Sequence, residues 1–207
     1  MTGISGSTPR RVGAEESHNR TALLDAAQEL MLEEGYAAVT TRRVAAKAGL
    51  KPQLVHYYFE SMDQLLLDLV RRTTARSRET LARVLTSPNP VRRLWEWSSD
   101  TEATALQIEM MALANHRKAI RAELADGAKR LRRMQVDALS DVLERLGIVN
   151  DVVRPDALMA VIGSVGRMLV MEKSLGVTTG HRNIRALVEH YLRQFESQFE
   201  GSSDSPA

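Results

Sequence analysis

The 207-residue chain contains no cysteine, which excludes a disulfide framework and a thiolate zinc site and leaves the redox compartment open. No apolar run approaches the roughly 18 residues that a membrane span needs. The first residues, 1–13, lack an apolar h-region, so no secretory signal is expected. Without either feature, a cytoplasmic protein with no membrane partner is the expectation. The marks of catalysis are missing too: there is no nucleophile elbow, no phosphate-cradling glycine loop and no His-Glu-x-x-His. His18, His56, His116, His181 and His190 are scattered along the chain, so neither a metal site nor a cofactor is expected. Asp100, Glu102 and Glu109 are near enough in sequence to pair, but carboxylates on an amphipathic helix ordinarily face solvent. An enzyme with a helical catalytic domain is therefore the rival class, not the leading one.

A net charge of +2 is also too small to argue nucleic-acid binding by itself, and what matters is where the charges fall. Between Val39 and Phe59 the chain carries Arg42, Arg43, Lys47 and Lys51 and no acid. These cations are expected to stand uncompensated, although the preceding helix holds Glu29, Glu33 and Glu34. Composition is otherwise that of a soluble globular protein, 43% hydrophobic and 26% charged, with ample length to bury a core. No strand alternation and no internal repeat is visible, and the periodicity is helical throughout. The expected class is all-α.

The segment from Val39 to Phe59 reads as two short helices joined by a tight turn. Counting Thr41 as the first position, Ala45 falls fifth, Gly49 ninth and Val55 fifteenth. A small residue at Ala45 lets the helices cross closely, Gly49 can take the positive φ of the turn, and Val55 anchors the second helix to the core. This is the pattern of a helix-turn-helix, which presents its second helix to a DNA major groove.

With its flanks, the segment resembles the N-terminal domain of the TetR family of bacterial transcriptional regulators. Thr40-Thr41-Arg42-Arg43-Val44-Ala45 opens the motif, Ala48-Gly49 makes the turn, His56-Tyr57-Tyr58-Phe59 closes the recognition helix, and Asp63-Gln64-Leu65-Leu66 starts the next helix. The close likeness covers about residues 17–77; beyond it only size and helical pattern match. The resemblance implies an N-terminal three-helix, homeodomain-like helix-turn-helix domain and a C-terminal helical domain for ligand binding and dimerisation. In one respect the chain departs from it. Many relatives carry Lys at the start of the fourth helix, where it meets phosphate, and here Met62 stands there. One phosphate contact is expected to be missing, with a shallower salt dependence.

The expected organisation is a disordered tail over 1–16, the DNA-binding domain over 17–77 with its motif at about 40–59, the helical effector and dimerisation domain over 78–200, and a tail over 201–207. In the first tail, Arg10-Arg11 can reach phosphates or a minor groove, but a solubilising end is the plainer reading. Helices are expected from about Ser17 to Gly35, from Ser61 (a capping box with Gln64) to about Leu85, over Val91 to Ser98, Glu102 to about His116, Lys118 to Leu146, Asp156 to Leu175 and His181 to Phe199. Ser87-Pro-Asn-Pro90 is the clearest break.

For DNA contact, Thr40 or Thr41 offers a hydroxyl and backbone N–H groups to a phosphate, and Arg42 a guanidinium to phosphate or guanine. On the recognition helix, Gln53, Leu54, His56 and Tyr57 are the groove candidates, Gln53 suited to adenine and Leu54 to a thymine methyl. Lys51, Tyr57 and Tyr58 read as backbone contacts. Tyr58 reads equally well as a core aromatic. His56 reads as a neutral polar contact, with a pH-sensitive one as the alternative.

The penultimate helix is apolar nearly all round, which calls for partners on every side. Leu158, Val161, Ile162, Val165 and Leu169 there, with Leu187, Val188, Tyr191, Leu192 and Phe195 on the last helix, are expected to form a two-fold four-helix interface; burial inside one subunit is the alternative. For an effector pocket the candidates are Trp95, Trp97, Met110, Met111, Met134 and Met168, adaptable apolar side chains that more often read as plain core, with His116 as a polar anchor. Arg117 to Arg133, with a local charge of +5, reads as a solvated face or as a lure for an anionic effector. The leading functional reading is a sequence-specific regulator of double-stranded operator DNA, a homodimeric repressor released by a small molecule. An activator or dual regulator of the same fold is the alternative.

Overall fold

The computed structural model describes residues 9–145, 147 and 154–203. Among them every regular element is helical. The helices are α1 (Pro9–Glu34), α2 (Thr41–Lys47), α3 (Pro52–Tyr58), α4 (Met62–Leu85), α5 (Pro90–Ser98), α6 (Thr101–Ala114), α7 (Lys118–Arg145), α8 (Pro155–Ser174) and α9 (His181–Ser203), and a short 3-10 turn spans Tyr36–Ala38. The first helix begins at Pro9 rather than near Ser17, so residues 9–16 of the expected N-terminal tail are helical backbone. Residues 1–8, the side chains of Arg10 and Arg11, and residues 204–207 lie outside the described residues, as does the Phe199 side chain. At the other end α9 continues to Ser203, past the expected stop at Phe199.

The chain divides into two units. One comprises residues up to Thr73 together with Leu106–Leu124, and the other Thr74–Ala105 together with the residues from Ala125 onward. A division near residue 77 was expected; the addition of Leu106–Leu124 to the N-terminal unit was not. The reason is apolar burial. Leu106, Met110, Leu113 and Ala114 of α6 and Ile120 of α7 share a core with Leu23, Ala27, Leu30, Val44, Val55, Phe59 and Leu69. Polar ties reinforce that packing. Glu109 of α6 accepts a hydrogen bond from the Tyr36 backbone N–H at 2.7 Å, Arg71 of α4 donates to Glu123 of α7 at 3.0 Å, and Arg117 pairs with Asp63.

The second unit has its own core of Leu81, Val91, Leu94, Leu139, Val142, Leu143, Met159 and Leu192. Helices α5 and α8 approach closely at Gly166: a Cβ there would stand 2.6 Å from the Ser98 hydroxyl and 2.7 Å from the Ser98 carbonyl. Arg92 of α5 is clamped by two acids of α9, donating to Glu196 at 2.5 and 2.9 Å and to Glu189 at 2.9 and 3.0 Å. Those pairs lower both carboxyl pKa values below the usual range. His181, buried at the start of α9, holds Glu172 of α8 at 2.8 Å.

Candidate nucleic-acid interface

Helix α2 ends in a Schellman turn. Leu50 N–H donates to the Ala45 carbonyl at 2.9 Å and Gly49 N–H to Ala46 at 3.2 Å, the paired bonds that satisfy a helix's last carbonyls. Gly49 supplies the required φ of 67°. Pro52 follows at the first position of α3 with Lys51 as N-cap, where a missing N–H costs nothing. Val44, Ala45, Val55 and Phe59 are buried, which fixes α3 in register and turns its other face outward.

That outward face carries Gln53, His56 and Tyr57, all exposed, with Leu54 half-buried beside them. Thr40, Arg42 and Lys51 are exposed and Thr41 is half-buried; the Thr40 side chain makes no capping bond, so its hydroxyl is available. All of the expected DNA-contacting residues therefore lie on or beside α2 and α3. For Tyr58 the structure bears on the core reading. The side chain is half-buried against the first core, and its hydroxyl lies 3.5 Å from the Asn19 amide.

The expectation of four uncompensated cations needs correction. Arg43 pairs with Glu34, and Lys47 with Glu33 at 2.7 Å and Glu29 at 3.5 Å. These contacts hold the Glu34 carboxyl below its usual range and the Arg43 and Lys47 cations above theirs. The three acids were visible in the sequence, but only the packing of α1 against α2 brings them to these cations. Arg42 and Lys51 have no acidic partner among the described residues, so the uncompensated charge rests on this pair.

Two further residues escaped the sequence reading. Tyr57 is 66% exposed, and its hydroxyl donates to Glu16 of α1 at 3.0 Å, which raises the phenol pKa. Its ring meets Tyr58 edge-on, centroids 4.9 Å apart. Glu16 and Asn19, three apart on α1, thus hold the tyrosine pair that ends the recognition helix. No local pattern signals such contacts, whose partners lie about 40 residues away. Met62 packs half-buried on the first core. Ser61 caps α4 by accepting from Gln64 N–H at 3.1 Å, while the Gln64 side chain donates to Asp68 instead of completing a capping box.

The other candidate sets are redistributed. Met110 is buried in the first core, Met111 is exposed, and His116 stacks on Tyr36 with centroids 6.4 Å apart. All three belong to the N-terminal unit, whereas Trp95, Trp97, Met134 and Met168 are half-buried in the second. Of the expected interface residues, Val161, Leu187 and Tyr191 are exposed, and Leu158, Ile162, Val165, Val188 and Phe195 are half-buried. Leu169 and Leu192 are buried within the chain itself and so are not free to meet a partner. No described helix is long and apolar enough to cross a membrane.

Residues 23–69 match the family model of bacterial regulatory proteins, tetR family. The chain is 39% identical over 69 residues to the HTH-type transcriptional regulator BetI of Rhizobium meliloti (strain 1021), a stretch covering 33% of this chain and 34% of that one. The chain thus spans only a third of the length of that curated relative. Solved structures extend the likeness in fold. A TetR transcription regulator from Haloarcula marismortui superposes with a TM-score of 0.64 at 17% identity, covering 91% of this chain and 96% of that one. A Saccharomonospora viridis protein crystallised in complex with choline gives 0.66 at 20% identity, covering 89% and 96%. The helix-turn-helix geometry and the family match over it lead to one assignment: residues 23–69 form a helix-turn-helix domain of the tetR type, within a helical fold shared with solved TetR-family regulators.

Proposed function

We propose that the protein is a homodimeric, sequence-specific transcriptional repressor that leaves a pseudo-palindromic operator when its C-terminal unit takes up a small molecule. The observation that carries the reading is the outward face of α3. Gln53, His56 and Tyr57 project from it beside a half-buried Leu54, flanked by Arg42 and Lys51 as cations without acidic partners. Donors and an apolar contact on one helix face suit base edges in a major groove, and flanking cations and hydroxyls suit phosphates. Thr40, Thr41, Lys51 and Tyr57 supply the backbone contacts in this reading, with Tyr58 steadying Tyr57.

Dimerisation rests on exposed apolar side chains. Val161, Leu187 and Tyr191 are more than half exposed, and Met171, Leu175 and Val177 add apolar surface on α8 and just beyond it. A second copy related by a two-fold axis covers such a surface. Response to an effector rests on the half-buried Trp95, Trp97, Met134 and Met168 of the second unit. The test is a footprint of the purified protein on the DNA flanking its own gene. The expected result is two protected half-sites with centres about 34–36 Å apart or a multiple of it; one unpaired half-site would contradict the dimer.

A further inference from the structure

Several charges of the second unit are answered within it, and most of the rest are exposed. Arg92 is clamped by two glutamates, Arg93 pairs with Glu96, Lys129 with Asp126 and Arg193 with Glu189. Arg167 of α8 is different. Its side chain is half-buried, yet it has no hydrogen-bond acceptor and no acid among the described residues. The charge that acts on it most is another guanidinium, Arg132 of α7, and burial together with this like charge lowers its pKa. Partial burial of an unpaired guanidinium is costly unless an anion completes the site.

The side chain is also held in a defined place. Its two terminal nitrogens lie 3.1 and 3.2 Å from where a Cβ on Gly163, one turn earlier, would stand. Glycine thus lets the guanidinium lie back along its own helix. Gly166, next to Arg167, abuts Ser98 of α5, and the following residue, Ser99, carries a buried hydroxyl oxygen with no partner. Half-buried apolar side chains come from the same three helices: Trp97 from α5, Met134 from α7, Ile162 from α8.

From this arrangement we infer that Arg167, with Arg132, is the anion-reading group of the effector site, and that the effector is an amphiphile with an acidic head, a carboxylate or a phosphate ester. A guanidinium fork gives either head two parallel hydrogen bonds, and the Trp and Met side chains receive the apolar body. Two cations at one place disfavour a quaternary ammonium. The inference rests on the proposed effector-responsive reading of the second unit.

The test uses the full chain and its own reporter, since Trp95 and Trp97 are its only tryptophans and both sit on α5. Tryptophan emission is followed during titration with octanoate, octyl phosphate, octanol and choline. Saturable change is expected with octanoate or octyl phosphate, whichever binds more tightly naming the head group, and at least about tenfold weaker response to octanol, the loss of roughly 1.4 kcal/mol. R167Q should weaken the acidic amphiphile at least about tenfold and leave octanol unchanged, R132Q should have a smaller effect, and G163A should weaken binding by displacing the guanidinium. R167K, which keeps the charge and loses the fork, supplies the comparison if R167Q does not fold. Binding unchanged in R167Q or R167K, or no saturable response to either acidic probe, overturns the inference. Saturation by choline alone overturns it while leaving an effector-binding unit intact.

Discussion

Arg42 and Lys51 differ from Arg43 and Lys47 by the presence of acidic neighbours, and DNA affinity should report that difference. Neutralising a phosphate releases a counterion and contributes a log-log salt slope of roughly −0.9. R42A and K51A should each weaken binding and each remove about one such contribution. R43A and K47A should do much less, because Glu34, Glu33 and Glu29 already answer those charges. Fluorescence anisotropy over a salt series measures both quantities; equal effects from all four variants would contradict the assignment. In the proposed reading Gln53 serves selectivity. Q53A should relax discrimination at one base pair by about 1–3 kcal/mol while leaving the salt slope unchanged, as read by titration against single-substitution operators.

Helix contacts place these residues, and glycines set two of the closest. At Gly166 an added methyl meets the Ser98 hydroxyl and carbonyl well inside contact distance, so G166A should destabilise the second unit by roughly 1–3 kcal/mol through overpacking, visible in a denaturant midpoint. At Gly49 nothing lies within 4 Å, so G49A costs only the left-handed backbone, about 1–2 kcal/mol, and Asn there should be tolerated better. The Arg92 clamp should be acid-sensitive. Glu189 and Glu196 have folded pKa values below the ordinary 4.5, so their contribution is full above that value and is lost as pH falls through the depressed values. Wild type should melt about 2–4 °C above R92M near neutrality, and the gap should close on acidification; a gap independent of pH would contradict it.

Much of this level was legible in the sequence. Pro52, Gly49 and Gly147 punctuate helices where local rules place them, and α4 to α8 begin and end within about two residues of the periodicity reading. The onset of α1 was misread because Gly, Ser and Thr near the N-terminus suggest a tail, and nothing local marks Pro9 as a first helical turn. The roles of Gly163 and Gly166 were not legible. One receives α5 and the other makes room for Arg167, and both depend on tertiary packing.

At the scale of the whole chain, α4, α6 and α7 each contribute residues to both units. Periodicity shows that α6 is amphipathic or buried, but not which core receives it. That is why Met110, Met111 and His116 were grouped with Trp95 and Trp97 and the structure separates them. The apolar surface of α8 and α9 was legible as needing cover, though Leu169 and Leu192 find theirs within the chain. If a second copy covers the rest, V161D combined with L187D should convert dimer to monomer in light scattering, and should weaken operator binding by removing the second half-site.

Specific DNA recognition through α3 is the central claim, and a competition titration tests it most directly. Labelled DNA from the region flanking the protein's own gene is titrated at about 0.15 M salt with random DNA as competitor. The account predicts affinity at least roughly 10³ tighter than for random sequence, collapsing toward the random value in Q53A combined with H56A. Wild-type binding no tighter than to random DNA, or specificity that survives those substitutions, would contradict it.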